Sequence, residues 1–566
     1  MQQLSLSEAV ERNIRPGDTV QVMLGHSRWS AAARELIRQF WHRDAELTLV
    51  MVSLGSLGAA FFKGGMVRKV ITAYSGDSFP TYSPNPIFKR AYDLGEVEVE
   101  HWSIHTFSQR LEAAARGLPA MITGSLSGSD MEANDGYEVV ETGFGRLSIV
   151  APLFPDVCIL HAAVADPEGN VAMSAPLLEG VWGAWAARRG AVVTVERVVD
   201  SLEGMGGLVQ VPAHRVLAVV EAPFGAHPGG LYAPGLPVAG YGEDVPFWVE
   251  VRDACRGDFD EWAQEWLLGP QTHAAYLDKL GRERLQWLVS RSDPESWMQD
   301  AEANPVDTMS PATPWEVAAA LGARELASKA RALSADAILA GAGVANLAAW
   351  VAVDLARAGG QRVRLTAELG LWDYTPTPAD PYIFNQRVFP GATMLADASQ
   401  VLGLIVGGPG TTTIGCLGAA EVDKLANISS TRSASRGFLV GSGGGNDVAS
   451  RAAESVVVTL AGTERLVASL DYVTSPGDRI TSVVTDAGIL RKRDGELSLA
   501  AVPSGQPRGG RVAIEEMVRS FKDRCGWEVK VDRHPEALPT VSMSEVIALR
   551  RYDPAGVFLG RSRKGG

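Results

Sequence analysis

The sequence predicts an α/β protein made of two related open domains, each with a mainly parallel sheet covered by helices. Three observations lead to this fold class. Both halves begin with a helical run, both continue with a buried strand that ends in glycine, and both then add an alanine-rich helical run and a second strand. This alternation is typical of parallel sheets, because the chain must cross back over the sheet before the next parallel strand. Its recurrence indicates an internal duplication.

In the first half, residues 6–13 form the opening helical run, and the first strand lies within 16–25. A helix is then expected over 30–40, and a second strand within 47–55. Each strand is a short apolar run closed by glycine, which is the pattern of a buried strand followed by a turn.

The second half repeats this order. A helix is expected over 315–332, a strand within 335–343, a helix over 346–358 and a strand that begins at Val363. The same four elements in the same order support two domains of one architecture.

A second pair of segments supports the duplication. Residues 156–170 and 413–427 both begin as apolar strands, and they finish Asp-x-x-Gly-Asn and Asp-x-x-Ala-Asn. Asp and Asn favour turns because their side chains form hydrogen bonds with nearby backbone. A tight turn is the simplest interpretation of both endings. The first half carries additional residues before its turn, which include 80–86 and a helical run over 107–116.

The boundary between the domains is predicted in a proline-containing stretch. Prolines with little apolar periodicity are typical of a linker, which we place at 291–314. The two domains are then expected to cover 1–290 and 315–566.

Composition excludes several classes of function. The chain has 566 residues, with 66 acidic and 52 basic side chains and a formal charge of -14. This argues against nucleic-acid binding, which requires a basic face. Four cysteines are far apart and form no metal-binding pair. With no signal peptide and no membrane-spanning apolar run visible, we expect a cytoplasmic protein that binds neither nucleic acid nor membrane.

Glu368 is the most informative single residue. It follows a β-prone run and precedes Leu369-Gly370, where the backbone can turn and a substrate can approach. Aligning the Leu-Gly pairs of the two halves places Ser53 opposite Glu368, so only one copy carries a reactive group. A carboxylate at this position could be a nucleophile, a general base or a solvated residue at the end of a strand.

Two glycine clusters are candidates for ligand binding. A short strand leads into Gly441-Ser442-Gly443-Gly444-Gly445-Asn446, where exposed backbone N–H groups and a following helix would favour an anionic group. Gly407 and Gly408 follow an apolar run that we expect to be a strand. A flexible turn for close packing is the alternative interpretation, and neither cluster has the spacing of a Walker loop.

Other polar residues give weaker signals. Glu96, Glu98 and Glu100 alternate, which indicates one wet face of a strand. His26 could face a cleft, and His101, His105 and His161 are further candidates, but no metal-binding spacing and no nucleophile elbow occur.

Taken together, these motifs resemble the family I coenzyme A transferases, in particular the glutaconate CoA-transferase type. Residues 1–290 resemble the α chain of that enzyme, while residues 315–566 resemble its β chain. The α-like motifs are Pro155-Asp156-Val157, Asp166-x-x-Gly169-Asn170 and 191–196; the β-like motifs are Ala367-Glu368-Leu369-Gly370, 417–423, 441–447, 473–477 and 549–554.

The resemblance implies a CoA-transferase with Glu368 as the nucleophile of a ping-pong reaction. A mixed anhydride and then a glutamyl-CoA thioester would form on this side chain. The candidate CoA-binding residues are Gly407, Gly408, Gly441, Gly443, Gly444, Gly445 and Asn446. We expect no metal and no permanently bound cofactor, since CoA is a substrate. The expected partners are an acyl-CoA and a carboxylic acid, and a homodimer or higher homo-oligomer is compatible with the fusion of two subunits in one chain.

The sequence also departs from the family pattern. Leu369 is bulky where many members have a polar or small residue, residues 411–413 are three threonines, and Ala426 replaces a glycine. Two alternatives therefore stay open. One is a CoA-thioester or ring-cleavage hydrolase on the same fold that uses Glu368 or Glu100 as base or nucleophile. The other is a non-catalytic protein that binds CoA or acyl-CoA.

Overall fold

The computed structural model describes residues 4–23, 29–503 and 511–561, with backbone only for 511–513. Two large sheets, one in each half of the chain, form the architecture. A single apolar core cluster includes residues from Ala9 in the first half to Leu559 near the end of the second. The α/β fold class with mainly parallel sheets and flanking helices is confirmed.

Within the described residues, the first sheet has nine strands. Seven are parallel neighbours, and residues 171–172 and 209–211 add an antiparallel edge. Across the parallel part the strands run Glu98–His101, Val67–Thr72, Leu47–Val50, Thr19–Val22, Val157–Ala165, Gly190–Val198 and Val216–Glu221.

The second sheet has ten strands among the described residues. From one edge to the other they run Met394–Leu395, Leu371–Trp372, Arg364–Ala367, Ala337–Ala340, Thr413–Gly418, Glu454–Val458, Ile480–Val484, Ile489–Arg493, Glu496–Pro503 and Lys530–Leu538. Its five neighbouring parallel strands begin, across the sheet, at residues 364, 337, 413, 454 and 480. Five neighbouring strands of the first sheet, which begin at 47, 19, 157, 190 and 216, have the same chain order. This shared order is the structural form of the predicted duplication.

The helices begin where the sequence offers a cap. The side chains of Ser5 and Thr313 each accept a hydrogen bond from the backbone N–H three residues on. In turn, the carboxylates of Glu8 and Glu316 accept hydrogen bonds from the backbone N–H groups of Ser5 and Thr313. Such capping boxes satisfy N–H groups that have no partner inside the helix. The α-helices are Leu6–Asn13, Ala31–Phe40, Ala59–Lys63, Pro86–Asp93, Ile104–Arg116, Trp182–Ala186, Val245–Arg256, Phe259–Ala263, His273–Leu280, Arg282–Ser290, Trp297–Ala303, Pro314–Leu333, Val344–Ala358, Gly445–Arg451, Arg511–Asp523 and Met543–Tyr552.

Both Asp-x-x-x-Asn endings form the same tight turn. Asp166 accepts hydrogen bonds from the N–H groups of Gly169 and Asn170, each at 2.8 Å. Asp423 accepts one from the N–H of Asn427 at 2.9 Å, and the two side chains also bond to each other. Ala426 occupies the left-handed region at φ +70°, so it adopts without glycine the backbone that the turn requires.

One element differs from the sequence prediction. The apolar run before Gly407 is not a strand; residues Ser399–Val406 form a π-helix. Val401, Leu402, Ile405 and Val406 are buried while Leu404 is 66% exposed, so the burial follows a helical period. A short apolar run does not by itself distinguish a buried strand from a helix, which is why the pattern misled.

The segment 291–314 contains the helix Trp297–Ala303 and forms ion pairs within itself and with the second half of the chain. Asp300 pairs with Arg291 and with Arg387, whose Nη1 lies at 2.6 Å. Asp307 lies 3.8 Å from Arg550, whose guanidinium also pairs with Glu316 at 2.7 Å. Among the described residues, no helix has the length and apolar character needed to cross a membrane.

Candidate active site

A cavity of about 610 Å³ is lined by residues from both halves of the chain. Ser53, Tyr74 and Tyr82 contribute from the first half, and Glu368 and Tyr382 contribute from the second. Ser53 and Glu368, which the duplication places at equivalent positions, therefore face the same cavity. Concave sites of this size are the usual location for binding a small substrate.

Glu368 lies in a tight reversal between two strands. The strand Arg364–Ala367 ends immediately before it, and Leu371–Trp372 runs back antiparallel to that strand. Gly370 has φ +122°, and a Cβ there would collide with the carbonyl of Ala396, so only glycine fits this turn. The reversal leaves Glu368 partly accessible at the cavity wall while its neighbours are buried.

The surroundings raise the pKa of Glu368 from 4.5 to about 7. Burial is the main cause, because it penalises the ionised form, and the negative charge of Asp447 adds to it. A hydrogen bond from the backbone N–H of Gly444 acts in the opposite direction. Near neutral pH the group can therefore act as a carboxylate nucleophile or as a proton carrier.

The glycine loop 441–445 lies directly against this carboxylate. A Cβ on Gly444 would collide with Glu368 Oε2, so glycine is what allows the backbone to approach. Gly441 and Gly443 have φ of +110° and +53°. The Gly443 N–H donates to the Ala73 carbonyl at 2.9 Å. The loop of the second half is thus hydrogen-bonded to the first half. Its residues Gly441, Gly443, Gly444 and Gly445 all line the cavity.

The two residues after this loop join the halves of the chain. Asn446 accepts a hydrogen bond from the Leu126 N–H at 2.8 Å and donates one to the Thr474 carbonyl at 2.9 Å. Asp447 accepts hydrogen bonds from the Ser103 hydroxyl at 2.6 Å and the His105 N–H at 3.1 Å. Burial raises the pKa of Asp447 to about 6. Asn446 is therefore buried within the protein and does not line the cavity.

Gly407 and Gly408 are not brought to the cavity. They follow the π-helix Ser399–Val406, where the Gly407 carbonyl accepts a hydrogen bond from Arg451 Nη2 at 2.8 Å. The Gly408 N–H donates to the Leu404 carbonyl at 3.1 Å. Both glycines lie at the C-terminal end of the π-helix, and neither contributes to the cavity wall.

Glu100 also lies away from the cavity, within an ion-pair network. Its carboxylate accepts hydrogen bonds from Trp102 Nε1 and Arg110 Nη1, each at 2.7 Å, and lies 3.1 Å from Lys69 Nζ. Burial raises its pKa, but Arg110 and Lys69 more than offset this, and the net shift is downward. The wet strand face predicted for the glutamates is thus partly covered by paired cations.

The histidines are not part of the cavity wall that the structure describes. His101 stacks on Phe438 with ring centroids 5.3 Å apart, and burial lowers the pKa of His101 and of His105 to about 4. His161 Nε2 lies 2.7 Å from Glu196. His26 lies outside the described residues.

Sequence comparison then places the chain among known proteins. Residues 3–222 match the sequence model of a family described as Coenzyme A transferase. One of the subunits of the 3-oxoadipate CoA-transferase of Pseudomonas knackmussii is 30% identical over 293 residues, which cover 97% of that protein and 49% of this chain. The chain therefore belongs to the coenzyme A transferase family.

Two further comparisons extend this family assignment. One of the subunits of the glutaconate CoA-transferase of Acidaminococcus fermentans is 28% identical over 308 residues, covering 92% of that protein and 50% of this CoA-transferase. The acyl-CoA transferase YdiF of Escherichia coli O157:H7, solved as a thioester complex with CoA, aligns with a TM-score of 0.63 over 96% of this chain and 95% of its own. At 15% identity, that alignment shows a shared fold across both halves.

Sequence reasoning missed two sets of residues in the cavity of this CoA-transferase. One is a group of aromatic side chains from separate segments, which no spacing in the sequence connects: Tyr74, Phe79, Tyr82, Trp248, Tyr382, Phe384 and Phe558. The other consists of Arg436 and Arg465, which flank the strand Glu421–Val422 and are the cations of the cavity wall among the described residues. Their side chains are 40% and 27% exposed, which places them at its rim.

Proposed function

We propose that this enzyme moves CoA from an acyl-CoA to a carboxylic acid through covalent intermediates on Glu368. One observation carries the proposal: the carboxylate lies at a cavity between the halves, against the Gly444 N–H, with a pKa near 7. A carboxylate that is partly desolvated and about half ionised at neutral pH is a competent nucleophile toward an activated carbonyl.

In the first half-reaction, a Glu368 oxygen attacks the thioester carbonyl carbon of the acyl-CoA. The carbon–sulfur bond breaks, CoA leaves as a thiolate, and an acyl-glutamyl anhydride remains. The thiolate then attacks the glutamyl carbonyl of that anhydride. The donor acid leaves as a carboxylate, and a glutamyl-CoA thioester is formed without gain or loss of a proton.

The second half-reaction runs these steps in reverse with the acceptor. The acceptor carboxylate attacks the glutamyl thioester and releases CoA thiolate, and the thiolate then attacks the acceptor carbonyl of the new anhydride. The products are the new acyl-CoA and free Glu368. The Gly444 N–H, which already bonds to this side chain, is the backbone donor for the tetrahedral oxyanions, a role worth roughly 3 kcal/mol for each donor. The apolar cavity wall would limit hydrolysis of these intermediates by water.

We propose that the phosphates of CoA bind at Arg436 and Arg465. Burial and the neighbouring charge of Arg436 lower the pKa of Arg465, so the two guanidinium groups repel each other. An anion between them would relieve that repulsion. The candidate CoA-binding set is then Gly441, Gly443, Gly444 and Gly445 at the acyl end, together with these two arginines at the rim.

We also propose that residues 1–290 and 315–566 correspond to two subunits joined by the segment 291–314. The 3-oxoadipate and glutaconate CoA-transferase relatives are each single subunits of their enzymes, and each matches about half of this chain. The family match over residues 3–222 supports the assignment of the first half. The equivalent order of the central strands supports a related second half.

The test is covalent trapping on the full chain. The protein is incubated with acyl-CoA and then treated with borohydride or hydroxylamine, and the modified peptide is identified by mass spectrometry. We expect the label on Glu368, and we expect Glu368→Ala to lose turnover by at least about 1,000-fold, as for removal of a covalent nucleophile. Glu100→Gln serves as the matched control and should still be labelled.

The remaining outcomes separate the alternatives. Release of CoA without an acceptor, at a rate equal to turnover, would indicate a hydrolase. Binding of CoA without label or turnover would indicate a binding protein. Full activity of Glu368→Ala would remove the basis of the proposal.

A further inference from the structure

The aromatic side chains of the cavity form one connected wall beside Glu368. Phe79 and Tyr382 have ring centroids 3.9 Å apart, and Tyr382 continues to Phe384 at 5.5 Å. Tyr82 lies 6.3 Å from both Tyr74 and Tyr382. These separations fall largely within the range of favourable ring contacts, so the wall is a continuous apolar surface.

This wall reaches the reacting carboxylate itself. Tyr74 pairs with Gly441 in an isolated β-bridge, which joins it to the glycine loop against Glu368. The negative charge of Glu368 is also one of the influences that raise the pKa of Tyr82, after burial and the neighbouring tyrosines. Tyr74, Tyr82 and Glu368 all line this cavity, so an acyl group attached to Glu368 would share the space with aromatic rings.

The charged side chains of the described cavity wall are few and unevenly placed. They are Glu368 and the two rim arginines, Arg436 and Arg465, which flank the strand Glu421–Val422. The connected rings come from other segments, 74–82, 248, 382–384 and 558, and among the rings of the described cavity wall only Trp315 lies against one of these cations, Arg465, at 5.4 Å. A second carboxylate on the acyl group that lies among the connected rings, away from these two arginines, would lack a paired cation, which is unfavourable.

We propose that the acyl group carried by this site is an apolar one with an aromatic ring, on a monocarboxylic acid. A planar ring can stack offset or edge-on against Tyr82 and Tyr382, in the geometry that aromatic pairs prefer. The proposal rests on the transfer reaction through Glu368, and it assigns the substrate class of that same site.

The test compares donors by the rate at which each forms the covalent CoA adduct on Glu368 in a single turnover, so that no acceptor is needed. The donors are phenylacetyl-CoA, acetyl-CoA and glutaryl-CoA. A buried phenyl group removes on the order of 100 Å² of apolar surface from water, which corresponds to roughly 70-fold over acetyl-CoA. We expect glutaryl-CoA to be slower than phenylacetyl-CoA by a comparable factor.

A variant tests the wall directly. Phe384 is only half-buried, so Phe384→Leu should preserve the fold, and it should reduce the preference for phenylacetyl-CoA over acetyl-CoA roughly 2- to 10-fold. Phe144→Leu, at a 96% exposed hairpin tip, is the matched control and should leave that preference unchanged. Calorimetric titration with free phenylacetate and free glutarate gives a readout that needs no chemistry, with phenylacetate expected to bind more tightly.

Failure of the substrate class and failure of the reaction give different results. If Glu368 is labelled but phenylacetyl-CoA and acetyl-CoA react within 3-fold of each other, or glutaryl-CoA is fastest, the substrate class is wrong and the transfer function stands. If no donor labels Glu368, the transfer function fails. The calorimetric titration then tests whether the aromatic wall prefers an aromatic acid. Tighter binding of glutarate than of phenylacetate would overturn that preference.

Discussion

Replacing Glu368 with glutamine should stabilise the folded protein at alkaline pH and have a smaller stabilising effect at acidic pH. The folded pKa is about 7, compared with 4.5 for an ordinary glutamate. A carboxyl whose folded pKa is raised binds its proton more tightly in the folded chain than in the unfolded chain. It therefore stabilises the fold at low pH, and this contribution is lost as the pH rises through about 7. Glutamine remains neutral throughout.

The size of the effect follows from the two pKa values. Between pH 5 and pH 8 the wild-type protein loses about 2.5 kcal/mol of stability from this group, and about 1 kcal/mol if partial exposure weakens the shift. The advantage of Glu368→Gln over wild type should grow by that amount over the same interval. For a chain of 566 residues that shares one core, this corresponds to roughly 1 °C to 2 °C in Tm.

The assay is thermal unfolding of both proteins at pH 5 and pH 8 in matched salt. Glu100→Gln is the control, because the pKa of Glu100 lies below 4.5 and its contribution is constant over this range. Glu100→Gln should be destabilising by the same amount at both pH values. An advantage of Glu368→Gln that does not grow between pH 5 and pH 8 would refute the raised pKa and the desolvation behind it.

Two further predictions concern activity. The ionised fraction of Glu368 should be about 10-fold larger at pH 8 than at pH 6, so the single-turnover rate of adduct formation should change by the same factor; a rate independent of pH would contradict this. Gly444→Ala should lower that rate at least about 10-fold, because the added Cβ collides with the Glu368 carboxylate. Gly445→Ala is the control and should have a much smaller effect, because its Cβ meets only Ser475 Oγ at 3.9 Å. Equal rates in the two variants would exclude a specific role for residue 444.

Local chemistry in the sequence was sufficient for the architecture. The strand–glycine–helix order predicted the helices at 6–13 and 344–358 to within two residues, and it predicted the duplicated parallel sheets. The reason is that helical and strand periods, caps and tight turns are properties of neighbouring residues. Where the periodic signal was short, as in the run before Gly407, the same reasoning predicted a strand, but the structure has a π-helix there.

Glu368 and the loop 441–445 were also visible in the sequence, because a carboxylate before a turn and a glycine cluster are local features. Their contact was not visible, since the strand reversal and the glycine loop meet only when the sheet and the loop pack together. The tertiary structure alone decided that Glu100 lies in an ion-pair network, that Asn446 joins the two halves, and that rings from segments 74–82 and 382–384 form one wall. The acyl environment depends on contacts between residues hundreds of positions apart, and such contacts leave no period or spacing in a single sequence.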